Sequence, residues 1–152
     1  MSIDARLKEL GITLPDAPKP VANYVPAVQT GNLVFISGQV SAAAGEAVKG
    51  RLGADVSLED GQKAARLCAL AILAQVNAAV GSLDKVKRVV KLGGFVACTP
   101  EFDQHPAVIN GASDLMVEVF GDKGKHARFA VGVPSLPLGF AVEVDAVVEV
   151  EG

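Results

Sequence analysis

The chain has 152 residues, half of them hydrophobic and 20% charged, with a net charge of −3. That is enough apolar material for one globular domain with a sizeable core. Two histidines and two cysteines are too few for a zinc set unless carboxylates or other subunits contribute. With one tyrosine and no tryptophan, stacking platforms for nucleic acid are scarce, so neither a metal, another cofactor nor a nucleic-acid partner is expected.

The N-terminus, "MSIDARLKEL", spaces its charges among apolar residues and lacks the basic start and apolar core of a secretory signal. No apolar run reaches membrane-spanning length; the best candidate, "ALAILAQVNAAV" at 69–80, belongs to a capped amphipathic helix. A cytoplasmic protein with no membrane partner is the expectation. Ser2 can cap a short helix through Leu10 that Gly11 closes, and "TLPDAPKPVAN" then reads as a proline-rich connector. Residues 1–20 thus form an N-terminal appendage to a single domain spanning 1–152.

"YVPAVQT", the turn Gly31-Asn32 and "LVFISGQV" predict two strands in a tight hairpin, and "EAVKGRL" at 46–52 a weaker third. Ser57 with Asp60 three residues on resembles a capping box. The series Ala65, Cys68, Ile72, Val76 and Val80 then runs at helical spacing to Gly81. In "KVKRVVK", 85–91, alternation predicts a mostly solvated face. The strand continues through "LGGFVAC", where Gly93-Gly94 suggests a bulge or a close backbone approach. Val108, Ala112, Leu115, Met116 and Val119 mark a second helix ending at Gly121. Cys68 and Cys98 lie in apolar runs with no CxxC partner and read as inert buried thiols.

The last two runs alternate strictly. Arg128, Ala130 and Gly132 oppose Ala127, Phe129, Val131 and Val133, while Glu143, Asp145, Glu149 and Glu151 oppose a valine-rich stripe from Phe140 to Val150. "PSLPLG" between them has the composition of a turn. If the runs pair as a hairpin with Val133 opposite Phe140, Arg128 falls opposite Asp145 and diagonal to Glu143. A one-residue slip would separate them, so the pairing depends on register. The elements give the order ββ(β)αβαββ, an α+β layer of a mixed sheet with two helices on one face. The other face, carrying Arg128, Ala130, Gly132, Ala141, Glu143 and Val147, would lack a cover within the chain, and self-association would supply one.

Taken together, "TGNLVFISGQV", "GSLDKVKRVVKL" and "ARFAVGVPSLPLGFAVEVDAVV" resemble the RidA/YjgF family of reactive intermediate deaminases, also called L-PSP endoribonucleases. The resemblance runs from Tyr24 onward. It implies a chorismate-mutase-like fold assembled as a homotrimer with three clefts between subunits. It also implies hydrolysis of 2-aminoacrylate and 2-iminobutanoate to 2-oxo acids and ammonia. By this resemblance Arg128 would bind the substrate carboxylate and Glu143 would steer water and protons. Tyr24, Ser37, Gly38 and Gln39 would lie near the cleft, and Asn110 matches a cleft asparagine.

The chain departs from the family pattern at His126, where a proline-like residue is usual, at Ala130, often cysteine, and at Asp145, the second acid of the last strand. From the residues alone the alternatives stay open. Arg128 could bridge Asp145 on a wet face, Glu143 could be solvated, and Tyr24 could simply end a strand. Ser37-Gly38 is not a GxSxG elbow, which removes a serine hydrolase. A non-catalytic binder of small carboxylates or 2-oxo acids is the second functional expectation, and a ribonuclease, which the charge fits poorly, the third.

Overall fold

The computed structural model describes residues 2–19 and 22–152; Pro20 and Val21 of the connector, and Met1, lie outside them. Helix α1 (Ile3–Glu9) starts where the Ser2 hydroxyl accepts from the Ala5 amide at 3.1 Å. The Ile3 amide donates to Asp84 Oδ1 at 2.7 Å and Arg6 Nε to the Glu118 carbonyl at 2.8 Å, tying this helix to the body. Strands β1 (Ala27–Thr30) and β2 (Leu33–Val40) form the expected hairpin through Gly31, whose φ of 58° suits a residue without Cβ.

The weak third strand is fragmentary. Two-residue strands β3 (Ala42–Ala43) and β4 (Glu46–Ala47) pair with each other, and single bridges then join Lys49 to Phe140 and Leu52 to Cys98. Helix α2 (Leu58–Val80) is capped by Ser57, whose hydroxyl accepts from the Asp60 amide, and ends at a left-handed Gly81. By length and composition it could cross a membrane, a longer element than the apolar run predicted at 69–80. Most of its apolar window is buried inside the fold, as a core helix requires.

Strand β5 (Val86–Ala97) buries Val86, Val89 and Leu92, a spacing of three rather than two. Two register shifts against the neighbouring strand, between Val86 and Arg88 and between Val89 and Lys91, reset the alternation that predicted a mostly solvated face here. The bulges therefore precede Gly93-Gly94. Those glycines admit side chains from either face instead, since a Cβ on Gly94 would meet Ile109 at 2.6 Å and one on Gly93 would meet Asp145 and Phe129 at 2.5 Å.

Helix α3 (His105–Phe120) leads into β6 (Ala127–Val133), and β7 (Val142–Val150) closes the fold. The sheet order is β1-β2-β7-β5-β6, with β5 and β6 parallel and the other pairs antiparallel. The hairpin expected between the last two strands does not form, because β5 lies between them. A helical crossover returns β6 parallel to β5, and β7, whose Val142, Val144, Ala146, Val148 and Val150 are all buried, takes the middle of the sheet.

This topology also corrects the assignment of faces. Arg128 is in register with the buried Leu92, so Arg128, Ala130 and Gly132 face the helices. Ala141 is fully buried. The open face carries Glu143, Asp145 and Val147 as expected, together with Phe35, Phe95, Phe129 and Val131. Phe95 and Phe129 meet edge to face with centroids 5.3 Å apart, while Phe35 and Val131 remain 44% and 43% exposed. Against the opposite face, α2 and α3 bury a continuous core that includes Ile72, Leu92, Ile109 and Leu115.

Candidate functional site

On the open face, Glu143 of β7 stands beside a break in β2. The register slips between Ile36 and Gln39, which leaves Ser37-Gly38 bulged out of the ladder. Gln39 turns inward, almost fully buried. Its Nε2 donates to the Ser37 carbonyl at 3.0 Å, and its Oε1 accepts from Gln75 of α2. Gln75 also donates to the Pro18 carbonyl, pinning the connector to the same place. A buried polar pair thus fixes the bulge from behind.

The bulge faces a cavity of about 470 Å³ lined by Tyr24, Ser37, Gly38, Pro137, Leu138 and Glu143 among others. Tyr24 is half exposed at its edge. Leu138 is 82% exposed and takes a left-handed φ of 58° inside the turn that joins β6 to β7. The space that a Cβ on Gly38 would need is filled by the Glu143 carboxylate. Partial burial pushes the Glu143 carboxyl above its ordinary range, and the neighbouring Asp145 charge pushes the same way. No protein donor among the described residues is bonded to this carboxylate, so it is available to water or a ligand.

Arg128 is elsewhere. Its Nη1 donates to Asn110 Oδ1 at 2.8 Å and to Ser113 Oγ at 3.2 Å, both on α3. Among the described residues its other guanidinium nitrogens have no protein partner, and Asp145 lies on the opposite face of the sheet. The predicted ion pair with Asp145 is therefore replaced by two neutral acceptors on a helix. Asn110 and Ser113 are one turn apart and share a helix face, a spacing that could have marked Ser113 beside Asn110 in the sequence.

The expected site residues thus fall into two groups. Tyr24, Ser37, Gly38 and Glu143 line one cavity, while Arg128 and Asn110 form a separate cluster. Glu143 is in register with Phe95, and Phe95 with Val131, three residues beyond Arg128. Two strand spacings and three residue steps put the two backbones about 14 Å apart, with their side chains on opposite faces. A single chain cannot close both around one small molecule. Among the described residues no group of three His, Cys, Asp or Glu could hold a metal ion. Sequence reasoning also missed the pairing of Cys98 Sγ with His105 Nε2, which lie 3.4 Å apart with Gly132 leaving room for both.

A mixed sheet backed by two helices, with a bulge-supported acid on its open face and an arginine cluster at its far edge, defines an α+β protein of the chorismate-mutase-like class. A profile of the family described as "YjgF/chorismate_mutase-like, putative endoribonuclease" matches residues 4–150. The chain belongs to this family, RidA/YjgF. It is 54% identical to the protein Atu1372 of unknown function from Agrobacterium tumefaciens. The alignment with that crystal structure covers 98% of this chain and 92% of the other with a TM-score of 0.91. It is 51% identical over 149 residues to Protein TCP17 of Trypanosoma cruzi, covering 97% of this chain and 93% of that one. A 2-iminobutanoate/2-iminopropanoate deaminase of Dermatophagoides farinae is 32% identical over 143 residues, covering 92% and 95%.

Proposed function

We propose that the chain hydrolyses small 2-imino and 2-enamino acids to 2-oxo acids and ammonia, in a cleft that one subunit lines with Arg128 and the next with Glu143. The observation that carries this is the separation of the two groups. An unbonded carboxylate beside a cavity and a guanidinium with a free edge are complementary halves, and a closed ring of subunits brings unlike surfaces together. The exposed apolar side chains of Phe35 and Val131 on the open face support the same assembly, for which the family resemblance implies a homotrimer.

In this cleft the guanidinium would take the substrate carboxylate through two parallel N–H donors, fixing C2 for attack. An enamine first accepts a proton at C3 and becomes the iminium ion, the same species that an imine gives when protonated at nitrogen. Glu143, as carboxylate, then takes a proton from water while the water oxygen bonds to C2 and the C=N electron pair moves to nitrogen. Glu143 returns that proton to the nitrogen. As a carboxylate again, it takes the proton of the carbinolamine hydroxyl while the O–H electron pair forms C2=O and the C–N pair leaves with ammonia, giving the 2-oxo acid. The raised proton affinity of Glu143 suits a group that must both accept and release a proton.

The test is 2-iminobutanoate generated in the assay, with spontaneous hydrolysis subtracted, using equal amounts of Arg128→Ala and Glu143→Gln subunits. Neither variant alone should turn over, whereas chains unfolded and refolded together should regain about a quarter of the wild-type sites, since random mixing pairs two intact halves that often. No recovery in mixed assemblies of the right mass would overturn the shared cleft. Wild-type protein that binds 2-oxobutanoate without accelerating hydrolysis would make the chain a binder rather than an enzyme.

A further inference from the structure

We propose that Ser113 and His126, two residues outside the predicted site, act as a positioning relay that holds Arg128 with one particular edge free for a ligand. The relay rests on the proposed role of Arg128 in carboxylate binding but makes a separate claim about how that role is set. It begins at Gly124, whose carbonyl accepts a hydrogen bond from His126 Nδ1. A carbonyl cannot donate, so Nδ1 carries the ring proton. In the neutral ring Nε2 is then an acceptor. It lies 2.9 Å from Ser113 Oγ, so the serine hydroxyl donates to it.

With its proton committed to the imidazole, Ser113 presents only lone pairs to Arg128, which donates to it at 3.2 Å. Asn110 Oδ1 accepts the other Nη1 proton at 2.8 Å. Both protons of one terminal nitrogen are thereby spent, and of the five guanidinium donors Nε–H and the Nη2 pair remain. Nε–H and one Nη2 proton point the same way, so the free edge is the side-on fork, which matches the two oxygens of a planar carboxylate.

The surroundings of the relay are built to hold it. Gly124 sits so close to the α3 backbone at Met116 that a Cβ there would strike the Met116 carbonyl. Its own carbonyl is thus fixed relative to Ser113, one turn earlier on the same helix. His126 itself departs from the proline-like residue usual before the arginine, so the chain gains a hydrogen-bonding group where that pattern has none. Were the ring to carry a second proton, Nε2 would donate to Ser113 Oγ and place a cation one hydroxyl away from the guanidinium.

Two measurements at pH 8 test the relay. In the unliganded protein, 15N-resolved NMR of the histidine rings should find His126 as the Nδ1-protonated tautomer. Arg128 Nε–H order should drop in His126→Ala and Ser113→Ala and return in His126→Gln, whose amide oxygen can replace the acceptor. In titrations with 2-oxobutanoate, His126→Ala should bind roughly five- to tenfold more weakly. His126→Gln should lie within about twofold of wild type, and both variants should melt close to it. An Nε2-protonated His126, or unchanged Arg128 order in a folded His126→Ala, would overturn the relay even if the wild type binds. If the wild type binds no small carboxylate, the carboxylate reading fails, and the ring tautomer and arginine order still decide the relay.

Discussion

The Glu143 carboxylate occupies the space that any side chain at position 38 would require. The bulge in β2 and the absence of a Cβ at Gly38 together let the acid lie flat against the backbone at the cavity wall. Gly38→Ala should therefore displace the acid more than it disturbs the fold, because the far end of a flexible side chain can move aside. The expected result is a loss of stability of about 1 kcal/mol, the low end of over-packing, with kcat/KM for 2-iminobutanoate down about tenfold or more. A variant that melts normally and turns over normally would show that the acid's position is unimportant.

Arg128→Ala should cost about 3 kcal/mol of transition-state binding, a hundredfold or more in kcat/KM, if two charge-assisted bonds hold the substrate. Arg128→Lys should recover little, since an ammonium lacks the planar fork. Asp145→Asn should leave the rate within a few-fold, because Asp145 lies across the sheet from the arginine. A comparable loss in Asp145→Asn would contradict this separation.

Glu143 is held above its ordinary proton affinity, so the fold favours its neutral form. That preference stabilises the protein at low pH and is lost as pH rises through the raised value, because the unfolded chain ionises first. Glu143→Gln should accordingly raise the melting temperature at pH 7.5 and lose that advantage near pH 4. Thermal melts at the two values check the sign. An advantage that grows on acidification would mean that the carboxylate is stabilised rather than penalised.

Light scattering should give about three times the chain mass of 15.6 kDa. Phe35→Asp, on the open face beside Val147, should shift the protein to smaller species and abolish turnover while leaving the secondary structure intact by circular dichroism. A monomeric wild type with full activity would contradict assembly through this face.

The helix ends could be read directly because capping is local: Ser2, Ser57 and Gly81 act within one turn of themselves. Strand parity was equally legible, and Arg128, Ala130 and Gly132 do share a side. Alternation does not say which side is covered, however, or which strand lies next door. The insertion of β5 between β6 and β7 is a long-range choice that places β7, whose valine parity is wholly buried, in mid-sheet. It left Arg128 facing α3 rather than Asp145. The bulges at Ser37-Gly38 and in β5 were illegible for a related reason, since each appears only against a partner strand. Asn110 was found through family likeness, whereas Ser113 needed only the helical repeat.

Leu138 gives the cavity a rim that is nearly independent of the rest of the molecule. It packs on nothing in the core, and its left-handed backbone already costs about 1 kcal/mol. A glycine or asparagine there would relax the turn, and a larger or smaller side chain would redraw the mouth without touching a buried contact. The entrance can therefore drift under selection while the acid, the bulge and the arginine stay fixed, so the size of side chain admitted could diverge between close relatives through changes at this one position.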